Sequence, residues 1–148
     1  MAPAPVTPLP SPAPTPDVAP PAPVPAYEAV VNDFHQAMAE GWKEGVLRHL
    51  ADGVRIYEQG YAERSRDEYA AGHLDSDLVF AAATRRERLG RESGSSGDHA
   101  WVLSQSRTQG EIGGRTVDLE QTETMLLQRV GEAWQIVHIH WSAHGRGD

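Results

Sequence analysis

Trp134-Gln135-Ile136-Val137-His138-Ile139-His140-Trp141-Ser142 reads as a β-strand with two unlike faces. Successive strand side chains point to opposite sides of a sheet. Val137, Ile139 and Trp141 turn one apolar face toward a core, while His138, His140 and Ser142 give the other a polar end. The two histidines lie roughly 7 Å apart along the strand. That spacing occurs in metal sites, with His144 or Glu120 available to complete one. A mixed polar face of this kind better suits a subunit interface or cross-strand hydrogen bonding.

Working back along the chain, three further β-rich segments precede this strand, at about residues 84–93, 100–110 and 115–129. Glu111-Ile-Gly-Gly is a hairpin signal between the second and third, and Val130-Gly-Glu is another before Trp134. Upstream, residues 27–40 carry Tyr27, Val30, Val31, Phe34 and Met38 at helical spacing, with Gly41 as the stop. A short helix is expected at about 42–51, then a strand from Val54 to Glu58, with Val54, Ile56 and Glu58 on one face. Gln59 to Glu63 reads as a loop. Ser65 and Glu68 form a capping box for a helix to about Leu74, which sets Tyr69 and His73 one turn apart. Residues 75–83 fit either a turn or a short helix. Helices followed by an antiparallel meander give an α+β architecture, a curved sheet with helices on one face.

All 11 prolines of this 148-residue chain fall within residues 1–25. Residues 1–26 are therefore expected to be a disordered Pro/Ala-rich tail and residues 27–145 one domain. The net charge of −8 argues against a nucleic-acid partner, and no apolar run is long enough to span a membrane. The expectation is a soluble protein, cytoplasmic as given, or exported if a signal peptide preceded the tail. With no cysteine, disulfide and thiolate chemistry are excluded.

In the 100–110 strand, the larger apolar residues place Trp101, Leu103, Gln105 and Arg107 on the enclosed face. Ser104 and Ser106 then fall on the opposite one, with His138 and His140. In the 115–129 strand, Leu119, Gln121, Glu123, Met125 and Leu127 take the enclosed face. Glu123 should lie near Gln105 and Trp141. The polar groups on this face either form a structural Arg107–Glu123 pair or line a ligand pocket. In the pocket reading Trp101, Leu103, Met125 and Trp141 are wall, Tyr57, Tyr69, Gln105 and Arg107 are contacts, and Glu123 or Glu58 is a general base of raised pKa with His73 as its acid partner.

Arg115-Thr116, Glu123-Thr124 and Trp134–Ser142 closely resemble the end of the calcium/calmodulin-dependent protein kinase II association domain. Ile56-Tyr57-Glu58 and Glu63-Arg-Ser-Arg-Asp-Glu-Tyr69 resemble its bacterial relatives, and the likeness covers about residues 27–143. It implies the nuclear-transport-factor-2-like, or SnoaL-like, fold: a cone of curved antiparallel sheet wrapped round helices, enclosing a pocket and usually dimerising through the sheet. That fold hosts isomerases, dehydratases, cyclases and binding modules alike. The kinase hub's pocket arginines match positions holding Leu103, Met125 and Trp141 here, so its preference for small carboxylates does not carry over. The chain as given holds no kinase domain or calmodulin-binding helix.

The resulting expectation is a homodimeric protein that binds a small organic molecule and needs no cofactor, with metal-free isomerase, dehydratase or cyclase chemistry if it is an enzyme. The alternatives are a non-catalytic oligomerisation or partner-binding module, and a metal-binding exported protein using His138 and His140.

Overall fold

The computed structural model describes residues 1–12 and 23–146; residues 13–22, inside the expected tail, lie outside the described residues. Residues 1–12 and 23–25 form neither helix nor strand. Helix α1 spans Ala26–Glu40 and buries Val31, Phe34, Ala37 and Met38. Gly41 ends it in the left-handed region (φ 70°), where a side chain would be strained.

Helix α2 covers only Lys43–Leu47. Leu50, expected at its end, instead begins strand β1, Leu50–Glu58, where it pairs with Ile136 and is buried. Tertiary pairing overrides helical propensity here, because the last strand offers an open edge. Gln59 to Glu63 is not a plain loop either. Gln59 and Gly60, both at positive φ, make a two-residue turn into β2, Tyr61–Glu63, which pairs back onto β1. Helix α3, Arg66–Ala71, starts at Ser65, whose Oγ accepts from the Glu68 N–H at 3.0 Å. It stops before Gly72, short of the expected Leu74. Residues 74–83 are helix α4, Leu74–Ala83.

Four long strands follow: β3 Thr84–Ser96, β4 His99–Ile112, β5 Arg115–Val130 and β6 Ala133–Gly145. They form a curved, unclosed six-stranded sheet in the order β2-β1-β6-β5-β4-β3. The meander β3 to β6 is antiparallel as expected, while β1 adds to β6 in parallel.

The face assignment of β4 is corrected. Gly113 and Gly114 make a two-residue turn flanked by the Ile112–Arg115 pair, so even residues of β4 stand opposite odd residues of β5. Ala100, Val102, Ser104, Ser106 and Thr108 face the helices and are buried. Trp101, Leu103, Gln105 and Arg107 lie on the convex side, and Ser104 and Ser106 do not share a face with His138 and His140. In β6 a bulge at Val137 takes that residue out of the ladder, so Ile136 precedes Ile139 and Trp141 on the inner face.

The inner face is best followed as rows running across the sheet. Ile56, Ile139, Met125 and Val102 form an apolar row that is buried under α1. The next row is Glu58, Trp141, Glu123, Ser104 and Arg91, and the one beyond it is Ala143, Gln121, Ser106 and Arg88. The inner face thus changes from hydrocarbon to polar groups within two rows, which positions the site.

Candidate functional site

A cleft of about 870 Å³ opens over the polar rows, between the sheet, α1 and α4. Phe34, Met38, Phe80, Leu119 and Trp141 give it apolar walls. Its charged groups divide into three clusters.

The central cluster is built on Glu123, whose side chain is 6% exposed. His35 Nε2 donates to Glu123 Oε2 at 2.7 Å and Trp141 Nε1 donates to the same oxygen at 2.8 Å. His35 reaches it because Glu28, Asn32 and His35 follow one another at i, i+4 and i+7, along the polar edge of the α1 stripe. Burial alone would raise the Glu123 pKa, but His35, the Trp141 hydrogen bond and the charge of Arg86 outweigh it and hold the carboxyl at about 2. This reverses the raised pKa expected of it. Oε1 of Glu123 is buried and has no hydrogen-bond partner among the described residues.

The acidic cluster lies at the β1 side. Glu58 and Asp77 line the cleft with His73. Burial, then the charge of Asp77, raises the Glu58 pKa against the opposing effect of His73. Burial also raises Asp77, although Tyr69 Oη donates to its carboxylate at 2.6 Å. His73 Nδ1 donates to Glu63 Oε1 at 2.8 Å, and that bond raises the histidine pKa, while Nε2 makes no hydrogen bond among the described residues.

The basic cluster comes from β3, where alternation turns Arg86, Arg88 and Arg91 inward opposite Thr108, Ser106 and Ser104. Arg91 is tied to Asn32 at 2.6 Å, Ser104 at 3.0 Å and Glu28 at 3.5 Å.

Of the residues expected in a site, Glu58, His73, Glu123 and Trp141 line the cleft together. Tyr69 and Met125 sit behind it, fully buried in the core, with the Tyr69 ring 6.3 Å from that of Trp141. Trp101, Leu103, Gln105, Arg107 and Tyr57 are on the convex side. Arg107 forms a two-pronged pair with Asp118, each bond 2.9 Å, and not with Glu123. Tyr57 stacks edge-on with His138, whose Nδ1 bonds the Arg55 carbonyl. Among the described residues no three His, Asp or Glu side chains are grouped so as to hold a metal. No helix among them is long and apolar enough to cross a membrane. His35, Asp77 and the β3 arginines were missed. The signal for His35 was a polar residue at stripe spacing in α1, and for the arginines an alternation of charge in β3.

A SnoaL-like domain profile matches residues 28–144. Among solved structures the chain is similar to a provisionally named ketosteroid isomerase from Shewanella frigidimarina NCIMB 400, at 35% identity and a TM-score of 0.76, covering 79% of this chain and 94% of that one. It is similar to a provisionally named calcium/calmodulin-dependent protein kinase II association domain from Xanthomonas campestris, at 17% identity and a TM-score of 0.69, covering 84% and 94%. A protein with a cystatin-like fold from Caulobacter vibrioides matches at 15% identity and a TM-score of 0.70, covering 82% and 89%. At the two lower identities the likeness concerns the fold alone. No curated protein matches.

Proposed function

Because the chain belongs to the SnoaL-like family, we propose that it binds a small organic molecule in the cleft and moves a proton within it, as an isomerase, dehydratase or cyclase does. Residues 27–145 are the working domain in this proposal and residues 1–26 a tether. The observation that carries it is Glu58: a cleft carboxylate of raised pKa, in one sheet row with Trp141 and Glu123. A carboxylate made more basic than usual, beside apolar walls, is suited to take a proton from carbon. His73, held through Nδ1 by Glu63, would return it from Nε2. Glu123, held at about 2 by its donors, is the weaker base of the two carboxylates, and in this proposal its part is to hold His35 and Trp141 in place. The similarity to a protein named as a ketosteroid isomerase supports the same reaction class.

A nitrobenzisoxazole, which opens to a coloured phenolate when a base removes its ring proton, tests this without knowledge of the natural ligand. The protein should accelerate the opening over an equal concentration of free acetate, with a rate that rises through an apparent pKa above the ordinary glutamate value. A rate no faster than acetate would remove proton transfer from the proposal.

The convex side favours a further element of this reading, a homodimer through the sheet. Trp101, Leu103 and Leu126 adjoin one another there at 40%, 39% and 41% exposure. The Trp101 indole lies across Gly94, where an added Cβ would come within 2.3 Å of the ring. A contiguous apolar patch of this kind supports association. Trp101→Asp should convert a dimer into a monomer in sedimentation velocity. If the native chain already sediments as a monomer, or the variant remains a dimer, this face is not the interface. The module reading without catalysis would keep this interface and lose the elimination activity.

A further inference from the structure

The cleft reading leaves the ligand's chemistry open, and the β3 arginines bear on it. Arg91 is fully engaged by α1 and Ser104. Arg88 makes only a 3.4 Å bond to Asn32. Arg86 faces the Glu123 charge and, among the described residues, neither Arg86 nor Arg88 forms an ion pair. Arg86 and Arg88 both line the cleft and are exposed, so their N–H donors are open to an anionic group that enters it. Opposite Arg88 by register stands Ser106, 3% exposed, whose Oγ has no hydrogen-bond partner among the described residues. Arg86, Arg88 and Ser106 thus line one end of the cleft, while the carboxyl groups of Glu58 and Asp77 line the other.

We propose that the ligand is an organic carboxylate, its head group held by Arg86, Arg88 and Ser106 and its apolar body directed along Trp141 toward Glu58. Arginine suits this role because its fork matches a carboxylate in two parallel bonds. The acidic end repels the same head group, so the cleft's polarity fixes one orientation, with the reacting carbon at Glu58. Glu123 Oε1, buried and without a hydrogen-bond partner among the described residues, leaves one more acceptor beside the cleft. The subsite rests on the proposal that the cleft is a ligand site.

The test uses the full chain labelled with ¹⁵N, titrated with benzoate, benzamide and phenyl phosphate. The side-chain Nε–H signals of Arg86 and Arg88 report the subsite, and the Trp141 indole signal reports the cleft. Benzoate should shift all three saturably, benzamide should bind about tenfold or more weakly, and Arg88→Gln should lose benzoate while its backbone spectrum stays that of the folded chain. Equal binding of benzoate and benzamide would overturn the anion subsite and leave the cleft reading intact, as would a response of Trp141 alone. No response at any of the three signals would overturn both. Tighter binding of phenyl phosphate than of benzoate would overturn the choice of a carboxylate in favour of a phosphate ester.

Discussion

Glu123→Gln should cost about 3 kcal/mol of folding stability near neutral pH, the linkage equivalent of a carboxyl held at about 2 against an ordinary 4.5. The sign follows from the direction of the shift. A carboxyl whose folded pKa is depressed stabilises the folded chain above its unfolded pKa, and that contribution is lost as pH falls toward the folded value. Glutamine keeps an oxygen for His35 and Trp141 but removes the charge that those donors and Arg86 favour. In urea titrations the gap between native chain and variant should therefore be full near neutrality and should close as pH drops from about 4.5 toward about 2. A gap that does not change with pH would mean that shape and hydrogen bonding, not ionisation, set the value of this residue. Glu123→Ala should cost more, about 3–5 kcal/mol, because it strands buried donors altogether.

The same residue marks how far the sequence could be read. The α1 stripe, the Ser65 cap, the two glycine hairpins and the β3 to β6 meander were legible because each depends on local periodicity or turn chemistry. The parity of β4 against β5 was also legible in principle. A two-residue Gly113-Gly114 turn puts odd residues of one strand opposite even residues of the other, so Glu123 on the inner face requires Ser104 there, not Gln105. Side-chain size argued the other way, since Trp101 and Leu103 are the largest apolar residues of β4. They are large for a different reason, the exposed apolar patch on the convex side. What no local signal carried was the meeting of distant residues. His35 and Glu123 are 88 positions apart and touch only because α1 lies across the sheet. Likewise, Leu50 turns from helix end to strand only when β6 is there to pair with it. Raised and lowered pKa values depend on such meetings, which is why the sequence alone left the base open between Glu123 and Glu58 and the proposal here takes Glu58.

Glu58→Gln should lower the nitrobenzisoxazole rate by roughly 100-fold or more, the usual scale for loss of a general base, while leaving the fold at least as stable as before. The second half follows from the first observation about this residue. Burial and the neighbouring Asp77 charge raise its pKa, so at neutral pH ionisation of Glu58 works against the folded state, and a neutral amide relieves that cost. Loss of rate in this variant therefore cannot be attributed to unfolding, which is the ambiguity that Glu123 variants carry. The pH profile separates the two carboxylates a second time. If Glu58 is the base, the native rate rises through a pKa above the ordinary value, and Glu123→Gln, measured where it remains folded, keeps that limb. If Glu123 were the base, its carboxyl would already be ionised at acid pH and the limb would lie near 2. A Glu58→Gln protein that retains the native rate and the native pH limb would transfer the role to Asp77, the other cleft carboxyl whose pKa burial raises. Asp77→Asn would then be the variant that loses the rate.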